Sequence, residues 1–317
     1  MIMHVSGRDD RIKGVLLCQA CGDALGTGYE TGKPVPAAGA VMCGGGFGFA
    51  PGEWSDDTQQ AVCVALARSD PQQVAARLLE WYRGHPRDVG GQTSAVLSRV
   101  KSPAGMLTAS RAYARRQESL PRPAHWDPGT GNGSLMRTGP ACLPLIGDRE
   151  RIAAVAREIS DLTHADPYSG DACLIWSLAI DSAIRLGGDF TLNEARGGLV
   201  FVPAERRKFW REVIVAALDG PQPSGQNGSA VSAFKCALWS VAHAGSLEDG
   251  LQLAVSIGGD TDTVAAIAGA LLGAIHGASA VPDDWRKALH GWPGMKAGDL
   301  EELALSAAGV REEVSGG

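Results

Sequence analysis

Two short runs of acids and hydroxyls, far apart in the chain, constrain this fold more than any other feature. They are Ser55-Asp56-Asp57-Thr58 and Asp260-Thr261-Asp262-Thr263. Each stands near glycine and opens an apolar run with helical spacing. Brought into one pocket, their carboxylates would repel one another by about 4 kcal/mol per close pair at an effective dielectric of about 20, so something cationic must offset them. Oxygen-only ligands select hard ions, Mg²⁺ first and Mn²⁺ or Ca²⁺ after it. The fold is expected to bring two distant helix starts together around positive charge.

Helix capping accounts for one acid or hydroxyl at each start, not for four. Neighbouring side chains on a helix diverge by about 100°, so Asp56 and Asp57 would reach different ions, or one would bridge. In a turn or extended segment Asp260 and Asp262 project to the same side, and Thr263 adds a hydroxyl at the first turn. Taken together the runs read as one shared metal site.

The rest of the chain is dominated by helical periodicity. The pattern predicts helices over Arg11–Ala24, Thr58–Arg68, Pro71–Tyr82, Thr93–Val100, Ala104–Arg116, Ser134–Leu145 and Asp148–Leu162. It continues with Ser169–Leu186, Arg206–Leu218, Ala230–His243, Leu247–Ser256, Thr263–His276, Asp283–His290 and Asp299–Ala308. In Arg206–Leu218, Phe209, Val213 and Ala217 recur four apart and give one apolar face. No convincing strand alternation is found, so the fold class is all-α. With 44% hydrophobic residues, few aromatics and 42 glycines, closely packed helices are favoured over a β-sandwich. Gly269, Gly273 and Gly277 recur at the spacing that lets helix backbones touch. Long turn-rich loops fall at Thr31–Glu53, Ser119–Gly133 and Gly220–Gly228. The expected organisation is an N-terminal tail over 1–10, one domain over 11–310 and a frayed tail over 311–317.

A net charge of −6, with no basic block longer than Arg206-Arg207-Lys208, argues against direct binding to nucleic-acid phosphate. The start, Met1-Ile2-Met3-His4-Val5, has no basic run or long apolar stretch, and the longest apolar run, Val264–Ile275, is too short to span a bilayer. Seven cysteines, an odd number, read as reduced thiols in a cytoplasmic protein. Cys18 and Cys21 have CxxC spacing but no second pair, and lie within an apolar helical run.

Three further segments can carry chemistry. Gly129-Thr130-Gly131-Asn132-Gly133-Ser134-Leu135-Met136-Arg137 is a glycine-rich loop running toward a predicted helix, where backbone N–H groups would meet a phosphate or diphosphate; a plain flexible turn is the alternative. His164, in Thr163-His164-Ala165-Asp166, is either a helix C-cap or a site residue. Asp23 sits near the end of a predicted helix, and Glu30 follows a glycine-rich turn from which it could reach a pocket as an acid or base; a solvated loop charge is the alternative.

In this order the five segments resemble the ADP-ribosylglycohydrolase family over Gly14 to about Gly277, through Trp-Ser-Asp-Asp-Thr early, Gly-Asn-Gly-Ser-x-Met-Arg and Thr-His between, and Gly-Gly-Asp-Thr-Asp-Thr late. The resemblance implies a compact, orthogonally packed multi-helix bundle with a dinuclear metal cleft. Two Mg²⁺ ions, with Mn²⁺ as a substitute, would be held by Ser55, Asp56 and Asp57 from one side and by Asp260, Asp262 and Thr263 from the other. Ser55 stands where many relatives have Thr, with the hydroxyl retained. Gly131, Asn132, Gly133, Ser134 and Met136 would bind the diphosphate of ADP-ribose, His164 would lie near ribose or phosphate, and Asp23 would join the substrate-binding set. Glu30, Asp56 and Asp57 would be catalytic. The implied activity removes ADP-ribose from a modified side chain by cleaving at C1 of the distal ribose, ADP-ribosyl-arginine foremost because an acidic cleft suits a guanidinium. The implied partner is an ADP-ribosylated protein. ADP-ribosyl-serine and ADP-ribosylated nucleic acid stay open as substrates, and a two-metal phosphohydrolase or a non-catalytic ADP-ribose binder are the competing readings.

Overall fold

The computed structural model describes residues 7–32, 35–36, 39–119 and 131–310. Part of the expected N-terminal tail (1–6), the whole expected C-terminal tail (311–317), the loop prolines Pro121, Pro123 and Pro128, and Gly129 and Thr130 lie outside the described residues. The architecture is all-α. The first helices are α1 (Arg8–Gly26), α2 (Asp56–Leu66), α3 (Pro71–Arg83), α4 (Gly91–Leu97), α5 (Met106–Glu118) and α6 (Arg149–Asp161). Then come α7 (Pro167–Leu186), α8 (Ala204–Asp219), α9 (Ala230–His243), α10 (Leu247–Ser256), α11 (Thr261–His276), α12 (Asp283–Ala288) and α13 (Ala297–Ala307). Starts are chemically marked. Asp70 accepts from the N–H of Gln72 and Gln73 ahead of Pro71, and Asp166 does the same for Tyr168 and Ser169 ahead of Pro167.

Two expectations fail. Ser134–Leu145 is not an α-helix: its first residues are turns, and Gly139–Leu145 is a 3₁₀ helix containing Pro140 and Pro144, which lack the donors an α-helix needs there. The expected helix to His290 stops at Ala288, and His290–Gly291 pairs antiparallel with Met295–Lys296 as a short hairpin, β1 with β2.

The centre of the bundle is the antiparallel contact of α1 with α11, both buried on nearly every face. The sequence places glycine wherever the backbones cross. A Cβ at Gly273 would lie 2.0 Å from the carbonyl oxygen of Gly14, and one at Gly269 would lie 2.2 Å from that of Cys18. At the other end, a Cβ on Gly26 would fall 2.5 Å from the Asp262 backbone. Side chains cannot hold these helices apart, so the C-terminus of α1 is pressed against the N-terminus of α11. That contact delivers Asp262 to the functional site. Cys18 and Cys21 are buried on α1, and none of the seven cysteines is in a disulfide. Among the described residues, no helix is long and apolar enough to cross a membrane.

Candidate metal and substrate cleft

The start of α2 is held from outside the helix. Trp54 is fully buried, donates its indole N–H to the Trp292 carbonyl at 3.1 Å, and stacks so close to Gly291 that a Cβ there would lie 2.4 Å from its ring. The hairpin after α12 thus fixes the entry to α2. From α1, Asp23 accepts the Ser55 N–H at 2.8 Å on one oxygen, and the Thr58 N–H and hydroxyl at 2.9 and 2.6 Å on the other. Asp23 is fully buried and is not among the residues lining the cleft; its oxygens accept from the α2 terminus. Ser55 is buried and donates its hydroxyl to Asp57 at 3.1 Å.

The start of α11 needs its two glycines. Gly258 and Gly259 have φ of +78° and +76°, and a Cβ on Gly259 would sit 2.0 Å from the Gly225 carbonyl oxygen. Asn227 bridges the turn, accepting the Asp260 N–H at 2.9 Å and donating to the Gly258 carbonyl at 2.9 Å. The Asp260 side chain makes no cap hydrogen bond; it instead accepts from the Asn132 amide at 2.7 Å. Thr261 donates to the Gly26 carbonyl at 2.8 Å, locking α11 to α1.

These starts meet in a cleft of about 270 Å³ lined by Glu30, Asp56, Asp57, Asp88, Asp260, Asp262 and Thr263 on its acidic side. Oxygens of Asp23, Asp57 and Asp262 lie within 4.8 Å of one another, as do oxygens of Glu30, Asp260 and Asp262. Asp262 belongs to both groups. One Asp57 oxygen is buried with no hydrogen-bond partner. Among the described residues, no lysine or arginine lines the cleft. Burial, then the neighbouring carboxylates, hold Asp56, Asp57 and Asp262 well above the ordinary carboxylate range. Burial and the charges of Asp260, Asp88 and Asp23 push Glu30 up to about 7. Crowded oxygen donors, an unsatisfied carboxylate oxygen and no cationic side chain fit hard divalent cations.

A second wall carries Gly131, Asn132, Gly133, Met136 and His164. Gln92 ties it together, accepting the Gly131 N–H at 3.3 Å and donating to the Thr163 carbonyl at 3.0 Å. His164 is buried, with its Nε2 against the loop: a Cβ on Gly131 would lie 3.6 Å from it. Ser134 is the exception. It is buried and is not among the residues lining the cleft, accepting from the Ser160 hydroxyl at 2.9 Å. Nor does the loop open an α-helix, so no helix dipole assists an anion there.

Set beside known proteins, residues 4–316 match the model of the ADP-ribosylglycohydrolase family. The chain belongs to that family. By that membership it is an ADP-ribosyl glycohydrolase, an enzyme that hydrolyses glycosidic bonds. It is 31% identical to an ADP-ribosylarginine hydrolase of Pseudomonas putida over 87% of this chain and 73% of that one. It is 28% identical to the ADP-ribosyl-[dinitrogen reductase] glycohydrolase of Rhodospirillum rubrum, over 87% of this chain and 89% of that one. A solved structure titled as an ADP-ribosylglycohydrolase-related protein complex superposes with a TM-score of 0.73 and 30% identity, covering 96% of this chain and 98% of that one.

Sequence reasoning passes over several residues of this glycohydrolase's cleft: Asp88, Gly90, Gln92, Thr93 and Gly228 on the wall, and Asn227 behind it. A signal existed for the first group. Asp88-Val89-Gly90-Gly91 is an acid beside glycines at a helix start, the same grammar as Gly258-Gly259-Asp260. For Asn227 there was none, since its role lies in a turn far along the chain.

Proposed function

We propose that this glycohydrolase binds two Mg²⁺ ions, with Mn²⁺ as a substitute, and cleaves the bond between C1 of the distal ribose of ADP-ribose and a modified side chain, arginine foremost. The observation that carries the reading is the pair of carboxylate groups sharing Asp262, in one cleft with Gly131, Asn132, Gly133 and Met136. One ion would be held by Asp57 and Asp262, with Ser55 and Asp56 beside it; the other by Asp260 and Asp262, with Thr263. When bound, the ions supply fixed positive charge for the sugar hydroxyls and lower the proton affinity of water.

The protein's own groups do the rest. Positive charge develops at C1 as the bond breaks, and the acidic wall stabilises it more than it stabilises the neutral sugar. Glu30, shifted to about 7, can hold or release a proton at neutral pH. Asp88, raised by burial and by Asp260, stands on the same wall as a second carboxyl able to carry one. A guanidinium N-glycoside already carries its proton and departs as a neutral guanidine, so it asks little of either acid. A wall without cationic side chains also accepts the guanidinium charge. The substrate-bearing partner is an ADP-ribosylated protein, and the setting proposed is the cytoplasm.

The test is ADP-ribose release from arginine-, serine- and nucleic-acid-linked substrates, with Mg²⁺ and with EDTA. Mg²⁺-dependent release from the arginine linkage is expected. Release from another linkage alone would reassign the substrate, and ADP-ribose binding without release from any would replace the hydrolase with a binder.

A further inference from the structure

Arg137 ends the glycine-rich segment yet does not reach the cleft. It is fully buried, and among the described residues it hydrogen-bonds no carboxylate. Its two terminal nitrogens serve the two walls. One donates to Gln60 Oε1 at 2.9 Å, and Gln60 Nε2 donates onward to Asp56 at 2.8 Å. The other donates to the Ile159 carbonyl at 3.1 Å and to the Thr163 hydroxyl at 2.7 Å. That hydroxyl is 2.8 Å from His164 Nδ1. The Arg137 Nε is left without a partner, so the fold tolerates an unmade buried bond to keep both ends in place.

A guanidinium only donates, and this fixes every proton along both arms. Gln60 must present its oxygen to Arg137 and its NH₂ to Asp56. Thr163 must accept from Arg137, and its own proton then has one acceptor among the described residues, His164 Nδ1. A nitrogen that accepts there cannot carry a proton, so in the neutral ring the proton sits on Nε2, facing the Gly131–Gly133 loop. We infer that Arg137 is a positioning residue that sets hydrogen-bond polarity on both walls, orienting the Gln60 amide toward Asp56 and holding His164 as the Nε2–H donor toward a ligand oxygen. Burial and the charge of Arg137 keep His164 neutral, well below its ordinary pKa, in keeping with this tautomer. The ligand part rests on the proposed function; the tautomer does not.

The two parts are tested separately in the full-length protein. In histidine-¹⁵N-labelled, ligand-free enzyme, long-range ¹⁵N–¹H correlations should show His164 with bare Nδ1 and protonated Nε2, assigned by comparison with His164→Gln. Thr163→Val should release this signature toward a tautomer mixture, and Thr163→Ser, which keeps the hydroxyl, should retain it. Protonated Nδ1 in the wild type, or an unchanged signature in Thr163→Val, would overturn the inference. Arg137→Lys should disturb the same signature, and Thr163→Val keeps the test decisive if the lysine variant does not fold. By calorimetry, Thr163→Val should weaken ADP-ribose binding roughly tenfold while Mg²⁺ affinity stays within about twofold. A shifted tautomer with unchanged ADP-ribose affinity would leave the relay standing and remove the ADP-ribose reading of this wall.

Discussion

Asp57→Asn should stabilise the metal-free protein and weaken its response to Mg²⁺. Oxygens of Asp23, Asp57 and Asp262 lie within 4.8 Å of each other. At an effective dielectric of about 20, each ionised pair at that distance costs about 3 kcal/mol, and Asp57 takes part in two of the three pairs. The protein avoids part of that cost by keeping protons on these carboxyls, so neutralising Asp57 should recover a few kcal/mol, about 2–4. Asparagine keeps an oxygen to accept the Ser55 hydroxyl, so little else changes. For a domain of this size about 3 kcal/mol is worth several degrees, roughly 5 °C or more. The assay is thermal unfolding at mildly alkaline pH, in EDTA and in excess Mg²⁺. Wild type should rise with Mg²⁺ by an amount set by mass action, about 2.7 kcal/mol at a hundredfold excess over the dissociation constant. The variant should start higher and rise less. A variant that starts lower and responds to Mg²⁺ as fully as wild type would refute the reasoning, because Asp57 would then be a structural hydrogen-bonder rather than a crowded ligand.

Other expectations follow from the same geometry. Glu30→Gln should lower turnover far more than ADP-ribose affinity, and steady-state kinetics beside calorimetry separates the two. Glu30 gains its proton affinity on folding, so the folded state binds a proton that the unfolded chain releases, and metal-free stability is lost as pH rises from 4.5 through about 7. Denaturant melts in EDTA should show that slope flattened in Glu30→Gln. Mg²⁺ affinity should climb with pH over the same window, since ligands must lose protons to bind; a pH-independent affinity would exclude these carboxylates as ligands. Gly273→Ala gains about 1 kcal/mol of helix propensity but forces a Cβ to 2.0 Å from the Gly14 oxygen, where ordinary contact begins at 3.4 Å. Overpacking of this kind costs about 1–3 kcal/mol or more, so a lower melting temperature and a weaker Mg²⁺ response are expected.

The helices were legible because amphipathic spacing and caps such as Asp70-Pro71 and Asp166-Pro167 are local. The glycines at 269 and 273 were legible too, as a sign of close helix contact, although the partner helix was not. Ser134–Leu145 misled because its apolar residues keep helical spacing while Pro140 and Pro144 remove the donors, and there the donors decide. At the site, the residues that face the cleft were largely readable from their chemistry. What a sequence does not convey is direction. Asp23 looks like one more acid in a glycine-rich motif, yet every proton it accepts comes from Ser55, Thr58 and Thr27. Ser134 sits in the middle of the loop expected to bind phosphate and turns to the core instead.

The cleft is the least self-sufficient part of the molecule, and its stability is drawn from contacts that never touch a ligand. Each acidic helix start would come apart on its own charge. Asp23 holds α2 in place without exposing an oxygen to solvent, Asn227 and two left-handed glycines hold the turn before α11, and backbone contact between α1 and α11 fixes the distance between the two. Among the described residues the one fully buried cation near them, Arg137, reaches Asp56 through the Gln60 amide. A direct ion pair would satisfy Asp56 and compete with a bound metal for its charge. An intervening amide orients the carboxylate and leaves its charge available. This arrangement keeps the acids close, ordered and unpaired with any cationic side chain, which is the state a site needs if its missing positive charge is to come from ions rather than from the protein.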